Sequence, residues 1–125
     1  MTKQDAEFAA LWAKAHAAGM AAGAAVAPTP MTVVVTDIAG RQIGRAQHVA
    51  EGMCGFAWVT FPGNGAFGRW AKAQGLARPD YPTGLRISVQ AFNQSMERKE
   101  AYAHAACKVL REAGIPRVYC VSRLD

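Results

Sequence analysis

The spacing of apolar residues along the first part of the chain predicts one helix followed by two strands. Apolar side chains recur at helical intervals over residues 4–24, and Pro28 and Pro30 end that helix. The next run, 31–36, is rich in β-branched residues and predicts a strand. After a short turn, 41–49 is typical of a weaker, partly exposed strand.

The middle of the chain predicts a buried strand and a short helix. Residues 55–61 are apolar almost without interruption, which indicates a central position in a sheet. A Pro-Gly-Asn-Gly turn follows, and 66–75 is expected to form a helix that turns Phe67 and Trp70 inward. Because 76–84 contains two prolines and ends in glycine, we expect a loop there.

A strand–helix–strand unit is predicted for the last third of the chain. The pattern indicates a strand over 85–92, a helix over 95–113 with Ser95 as its N-cap, and a strand over 117–121. Gly114 follows the helix at the position where a residue with positive φ commonly ends it. The connection is long enough for the two strands to run parallel in one sheet.

These elements predict an α+β fold, a single compact domain with a mixed β-sheet of about four to five strands and helices packed on it. The chain of 125 residues has the length of one domain, and its 51% of hydrophobic residues suffices for a core. We therefore expect one domain over 1–125, with the N-terminal helix in 1–27 and the sheet with two helices in 31–125.

The formal net charge of +5 lies in the second half of the chain. Residues 1–63 hold four basic and four acidic side chains, whereas 64–125 hold ten basic and five acidic ones. This bias attracts an anionic small molecule, nucleic acid or an acidic protein surface, although the same side chains also solvate helix faces. The sequence has no nucleic-acid-binding motif, so nucleic acid is one open partner among several.

The cysteine count argues against a disulfide framework and against a zinc site. Cys54, Cys107 and Cys120 are odd in number and far apart, so we expect three free thiols in a reducing cytoplasm. The alanine-rich tract 13–27 is too weakly apolar to span a bilayer. The small-residue motif from Gly19 to Gly23 indicates close helix packing or a loosened helix end.

Two similar strand-to-helix turns predict an anion-binding site. The turn after 55–61 contains Asn64, and the turn after 85–92 contains Asn93. Each delivers unpaired backbone N–H groups at a helix N-terminus, which favours an anion. If the two strands are parallel neighbours, both turns open on the edge of the sheet where ligands bind in α/β folds. The predicted ligand-binding residues are Asn64, Arg69, Phe92, Asn93, Arg98 and Lys99.

Alternatives stand beside this site prediction. Both turns are also compatible with ordinary connections flanked by solvated arginines. In the predicted strand, Phe92 shares a face with Arg86 and Ser88, which suits a stacking platform for a base or a partner's side chain. Phe92 would equally well seal the end of the sheet under the second helix.

Catalytic residues are less clearly arranged. Glu100 and His104 form an i, i+4 pair, which is typical of a surface pair and also compatible with a catalytic dyad or half of a metal site. Cys54 precedes an apolar strand and resembles a buried small hydrophobe unless a neighbouring base activates it. A single pocket that combined an acid, a histidine and a cysteine would favour an enzyme. The sequence assigns no catalytic residue, no metal site and no cofactor.

Two segments carry a resemblance to a known family. The segments 54–59 (CGFAWV) and 93–102 (NQSMERKEAY), with the closing 122–125 (SRLD), resemble a group of small proteins encoded by bacteriophages and prophages. The resemblance brings no assigned activity. It implies an intracellular accessory protein, made in the cytoplasm of a bacterial host.

The resulting hypothesis is a phage- or prophage-encoded binding protein that inhibits or sequesters a component of host defence. Its ligand would be an anionic nucleotide-like molecule or a host protein, with homo-oligomers left open and no membrane partner. The alternatives are a small enzyme that uses Glu100, His104 or Cys54, and a virion or assembly accessory protein.

Overall fold

The computed structural model describes residues 2–34, 36–44, 46–49, 52–93 and 95–124, and within them the chain forms three helices and six strands. In chain order the elements are α1 (Lys3–Ala25), β1 (Met31–Val33), β2 (Gln47–Val49), β3 (Gly55–Phe61), α2 (Ala66–Ala73), β4 (Arg78–Pro79), β5 (Leu85–Ser88), α3 (Met96–Glu112) and β6 (Tyr119–Leu124).

Strand β3 is central in the main sheet. It pairs antiparallel with β5, where Phe61 lies opposite Leu85, and antiparallel with β6, where Gly55 lies opposite Leu124. Strand β4 extends the sheet beyond β5, so the strand order is β4-β5-β3-β6. Strands β5 and β6 therefore run parallel to each other on either side of β3, and α3 connects them.

Alternation along β3 separates a helix-covered face from a more open one. The buried residues are Gly55, Ala57, Val59 and Phe61, and the half-buried residues between them are Phe56, Trp58 and Thr60. The helices lie on the buried side, since the Phe61 ring is 5.2 Å from the ring of Phe67 in α2 and Met96 of α3 contacts Gly55. The core forms between this face and the buried stripe of α3, which includes Tyr102, Ala103, Ala106, Cys107 and Leu110.

Helix α1 begins with a capping box, formed by the Thr-x-x-Asp pattern of residues 2–5. The Thr2 hydroxyl accepts the N–H of Asp5, and the Asp5 carboxylate accepts the N–H of Thr2, each at 3.1 Å. Near this end, the Phe8 ring lies 5.5 Å from the ring of Phe67 and 5.9 Å from that of Trp70, so α1 also contacts α2.

Close packing of α1 on α3 depends on two glycines. The buried residues of α1 are Ala15, Gly19 and Gly23, one turn apart along one face. A Cβ added to Gly19 would lie 2.6 Å from the Tyr102 ring, and one added to Gly23 would lie 2.3 Å from the Phe92 ring. The small-residue motif therefore marks close helix packing, the first of the two predicted roles.

One polar contact joins the two helices beside these glycines. Nδ1 of His16 and the hydroxyl oxygen of Tyr102 are hydrogen-bonded at 2.5 Å. Tyr102 is 5% exposed, and its burial raises the pKa of the phenol to about 12. The neutral phenol is therefore the form that the folded protein favours.

Two short strands between α1 and β3 form a separate two-stranded sheet. Strands β1 and β2 pair antiparallel, with Met31 opposite Val49. In the turn between them, Oδ1 of Asp37 accepts the N–H groups of Ala39 and Arg41 at 2.9 Å each. Strand β2 is shorter than the predicted strand over 41–49.

The α+β architecture, with helices packed on a four-stranded sheet, confirms the predicted fold class. The predicted strand–helix–strand unit is present, and Gly114 has φ of 89° after α3. The main sheet is antiparallel and not mixed as predicted, because β5 runs antiparallel to β3 after the chain returns through α2 and β4. β4 lies in the predicted loop, where Pro79 is tolerated because an edge strand can omit one N–H.

Substituting Gly19→Ala is expected to lower the free energy of unfolding by about 1–2 kcal/mol, because overpacking against the buried Tyr102 ring outweighs the gain in helix propensity. Chemical denaturation would measure the change. Ala17→Gly, on the exposed face of the same helix, is the matched control and reports the propensity term alone, about 1 kcal/mol of destabilisation. A more stable Gly19→Ala variant would contradict the tight contact.

The stability of the protein is expected to fall as the pH rises from about 10 towards 12. The pKa of Tyr102 is higher in the folded state than in the unfolded state. Below pH 10 the phenol is neutral in both states and its contribution to the free energy of unfolding is complete. As the pH rises towards 12, the phenol ionises first in the unfolded state, and that contribution is lost. Denaturant titrations across this range should show a shallower decline for Tyr102→Phe than for the wild type, with a difference of at most about 2–3 kcal/mol. Equal slopes for the two proteins would refute this assignment.

Candidate functional site

The two turns of the predicted anion site lie at opposite ends of the sheet. Asn64 follows β3 at the end where Phe61 pairs with Leu85. Asn93 follows β5 beyond Ser88, which lies opposite Trp58 nearer the other end of β3. The prediction that both turns border one pocket is therefore wrong, because it required parallel neighbours and β3 and β5 are antiparallel.

Phe92 and Asn93 shape the backbone at the end of β5. The strand ends at Ser88, and Phe92 and Asn93 have φ of 67° and 51°, a region that bulky side chains seldom occupy. This bend turns the half-buried Phe92 ring against Gly23 of α1. Phe92 thus packs beyond the end of β5 against α1, rather than under the second helix as the packing alternative predicted.

Arg98 binds the C-terminal end of α1. Its Nη1 donates to the carbonyl oxygens of Gly23 at 3.0 Å and Ala24 at 3.3 Å, which have no partner inside the helix. One residue earlier, the Glu97 carboxylate accepts the N–H of Thr29 at 3.1 Å. The first turn of α3 therefore holds the end of α1 and the link that follows it.

Lys99 is also occupied inside the structure. Its residue surface is 5% exposed, and Nζ lies 5.4 Å from the centre of the Phe56 ring. A buried ammonium over an aromatic ring is a cation–π contact. At this end of the sheet the predicted basic residues contribute to packing rather than to an open pocket.

The other end of the sheet holds an open cavity of about 770 Å³ next to Asn64. It lies where β3 ends, α2 begins and β6 starts. The residues that line it are Thr60, Phe61, Pro62, Gly63, Asn64, Lys72, Pro79, Thr83, Gly84, Leu85, Arg117 and Tyr119. We call it the Asn64 cavity. Its size is within the range typical of small-molecule sites, about 300–1,000 Å³.

The polar groups of the Asn64 cavity suit an anion. Lys72 and Arg117 supply positive charge, and the described lining residues include no carboxylate. The N-cap of α2 is Gly65, so the first N–H groups of this helix receive no side-chain cap. Arg69 lies outside the lining and donates to the Asn64 carbonyl oxygen at 2.6 Å, which stabilises the turn.

Two further residues give the cavity an aromatic wall and a fixed hydroxyl. Tyr119 is 56% exposed and begins β6 directly opposite Thr60. The Thr60 hydroxyl donates to the Asp80 carboxylate at 2.9 Å, which orients it. A planar group could stack on Tyr119 while its negative charge meets Lys72 and Arg117.

Sequence reasoning found Asn64 and missed Lys72, Arg117 and Tyr119. Lys72 is close in sequence, two turns into the helix that Asn64 precedes. Arg117 and Tyr119 reach the cavity only because β6 pairs with β3 from the Phe61 end, which places their turn beside the end of β3. Arg117 has φ of 55°, which is unusual for a non-glycine residue. The sequence around Arg117 contains no pattern that predicts this conformation.

The candidate catalytic residues are partly brought together. Glu100, His104 and Cys120 line one small pocket of about 120 Å³ between α3 and β6. Cys54 is exposed and lies elsewhere, next to Ser95 through a backbone bridge. The pocket thus combines an acid, a histidine and a cysteine, but with Cys120 in place of the predicted Cys54. Over the described ranges, no cluster of three or more His, Cys, Asp or Glu residues is arranged to hold a metal ion.

The three thiols are unbonded and differ in environment. Cys54 is exposed, Cys120 is half-buried, and Cys107 is buried with Sγ 3.4 Å from the Val118 carbonyl oxygen. Burial raises the pKa of Cys107, and the nearby Arg111 opposes that shift.

Comparison with known proteins gives no relative. No protein-family model, no curated protein and no solved structure matches the chain. In the part of the chain that the structure describes, no helix has the length and apolarity needed to cross a membrane.

Arg98→Ala is expected to lower the free energy of unfolding by about 1.5–3 kcal/mol, because charged hydrogen bonds to the end of α1 are lost. Binding of an anionic ligand should not change, since Arg98 lies far from the Asn64 cavity. Lys108→Ala is the matched control on the same helix, because Lys108 is exposed and its contact with Glu112 is a 3.9 Å surface pair. Weakened binding by a stably folded Arg98→Ala protein would restore the predicted role.

Proposed function

We propose that this protein binds an anionic, nucleotide-like ligand in the Asn64 cavity. The observation that carries the proposal is the joint presence of Lys72, Arg117 and the exposed Tyr119 around a cavity of small-molecule size. Cations pair with phosphate, and an aromatic ring stacks on a base. Inorganic anions lack the second contact, so a ligand with a planar group should bind more tightly.

The excess of positive charge in the second half of the chain supports this choice of ligand. Arg69, Arg98 and Lys99 are engaged in contacts with Asn64, α1 and Phe56. Lys72 and Arg117 instead border open space. An acidic host protein is the second partner that this charge fits.

The proposed ligand and the resemblance to phage and prophage proteins together suggest a biological role, which we add to the proposal. The protein would act in the cytoplasm of a bacterial host and sequester a nucleotide-like molecule used in defence. A binding protein of this kind needs affinity and no chemistry, which agrees with a cavity lined by cations, an amide and hydroxyls.

A small enzyme is the second candidate, because Glu100, His104 and Cys120 share one pocket. That pocket, at about 120 Å³, lies well below the range typical of small-molecule sites. The larger Asn64 cavity holds none of these three residues. Binding is therefore the function that the geometry supports best.

Isothermal titration with ATP and with inorganic pyrophosphate tests the proposal. ATP should bind more tightly than pyrophosphate, and Arg117→Ala should weaken ATP binding about tenfold or more, because one charge-assisted hydrogen bond is lost. Added salt should weaken binding in the same direction. Lys14→Ala, an exposed cation on α1, is the control and should leave affinity unchanged. Absence of ATP binding, or equal affinity of the Arg117→Ala and wild-type proteins, would contradict the proposal.

A further inference from the structure

The side of the main sheet opposite the helices carries aromatic and cationic residues next to one another. Strand β3 presents Phe56, Trp58 and Thr60 there. Directly paired residues share a face, so the register adds residues of β5 and β6 to it. We call this surface the open face, and its residues are Phe56, Trp58, Thr60, Arg86, Ser88, Tyr119, Val121 and Arg123.

The two aromatic rings of β3 are flanked by cations. Cζ of Arg86 lies 4.9 Å from the centre of the Trp58 ring. Cζ of Arg123 lies 5.5 Å from the centre of the Phe56 ring, and Nζ of Lys99 lies 5.4 Å from the same centre. Lys99 belongs to α3 and is buried, so the accessible cations are Arg86 and Arg123. Their guanidinium groups can contact a phosphate while a ring contacts a base.

The edge strand β6 adds accessible surface to the open face. Tyr119 is 56% exposed and Val121 is 37% exposed. Cζ of Arg111 lies 5.5 Å from the centre of the Tyr119 ring. The aromatic and cationic pattern of β3 therefore continues onto β6, where it is more accessible.

Negative charge on this surface is sparse. Asp80 lies 4.0 Å from Arg86 and is hydrogen-bonded to Thr60, and Glu100 shares a small pocket with Val121 at the edge of the face. The Asp80 side chain is 13% exposed, whereas that of Arg86 is 39% exposed. The accessible charge of the face is therefore positive, which complements a polyanion.

One polar atom of the face has no partner. The indole Nε1 of Trp58 is buried without a hydrogen-bond acceptor among the described residues. A buried N–H without an acceptor is unfavourable.

The open face connects two basic cavities. Thr60 and Tyr119 belong both to it and to the Asn64 cavity. At its β5 side, Arg86 and Ser88 also line a cavity of about 640 Å³ together with Arg78. Along β3, the levels of Phe56 and Thr60 are about 14 Å apart, since a strand rises about 3.4 Å per residue. Such a continuous surface is longer than one nucleotide requires.

We infer that the open face binds single-stranded nucleic acid, with bases stacked on its aromatic residues and phosphates paired with Arg86 and Arg123. Sheets that expose aromatic side chains bind two or three unpaired bases in this way, and the stacking tolerates any base. The inference rests on the proposed function, because the Asn64 cavity would hold one nucleotide of the same strand. Aromatic rings with arginines beside them favour this occupant over an acidic protein.

Fluorescence anisotropy with labelled single-stranded DNA and RNA of about 12 nucleotides tests the inference. Both oligonucleotides should bind at least about tenfold more tightly than ATP, because more phosphates and bases are engaged. A duplex of the same sequence should bind more weakly, since its bases are not available for stacking. Duplex binding as tight as single-strand binding would overturn the inference.

Variants on the open face make the test specific. Tyr119→Ala should weaken oligonucleotide binding about tenfold. Arg123→Ala should weaken it and lower the slope of log affinity against log salt by about 0.7, the value for one phosphate contact on a single strand. Lys14→Ala is the matched control, and an equal loss in that variant would overturn the inference. Circular dichroism melting of each variant confirms that it is folded.

The fluorescence of Trp58 supplies a readout that a structural role would not affect. Oligonucleotide binding should quench tryptophan emission in the wild type and much less in Trp58→Phe, because Trp12 and Trp70 lie in the helices away from the open face. Equal quenching in the two proteins would contradict stacking on Trp58.

The two proposals can fail separately. If ATP binds and Arg117→Ala weakens it, but oligonucleotides bind no more tightly than ATP, the open-face inference is wrong and the proposed function stands. If neither ATP nor any oligonucleotide binds, both are wrong.

Discussion

The contact between α1 and the start of α3 is the constraint on which the arrangement of charged residues depends. Gly19 and Gly23 have no side chains, so the rings of Tyr102 and Phe92 lie directly against the backbone of α1. This proximity brings the first turn of α3 to the end of α1, where Arg98 binds two free carbonyl oxygens. Arg98, a basic residue at a helix start that would otherwise suit an anion, thereby holds two helices together.

The positions of the other basic residues follow from the antiparallel pairing of the strands. Because β6 enters beside the end of β3, Arg117 and Tyr119 reach the turn that contains Asn64. Because paired strands share faces, Arg123 and Arg86 lie on the same side as Phe56 and Trp58. The antiparallel pairing of β3 with β5 and β6 thus explains why the expected shared pocket is not formed. It also explains where the basic surfaces lie.

Local patterns predicted the three helices and the main strands, although several strands are shorter than predicted and β4 lies in a predicted loop. Tertiary pairing decided the site. The apolar run of β3 indicated its central position, and Gly114 marked the end of α3, because burial and backbone sterics act within a few residues. Whether β5 runs parallel or antiparallel to β3 depends on how the chain returns through α2 and β4, which no local pattern encodes. The Phe92 ring packs against Gly23, a residue far away in sequence. The alternation of the predicted strand therefore placed Phe92 on the wrong surface.

The alternation of buried and half-buried residues along β3 also makes them differ in how well they tolerate substitution. Substitutions at Ala57, Val59 or Phe61 must preserve the packing of helices, and few side chains will meet that requirement. Substitutions at Trp58 or Thr60 alter the half-buried side of the strand, whereas Phe56 also contacts the buried Lys99 of α3. Changes at Trp58 and Thr60 can therefore alter recognition with a smaller effect on folding. The same strand therefore supplies a scaffold and a variable surface, and a library diversified only on the second set of positions would sample new binding partners on an unchanged fold.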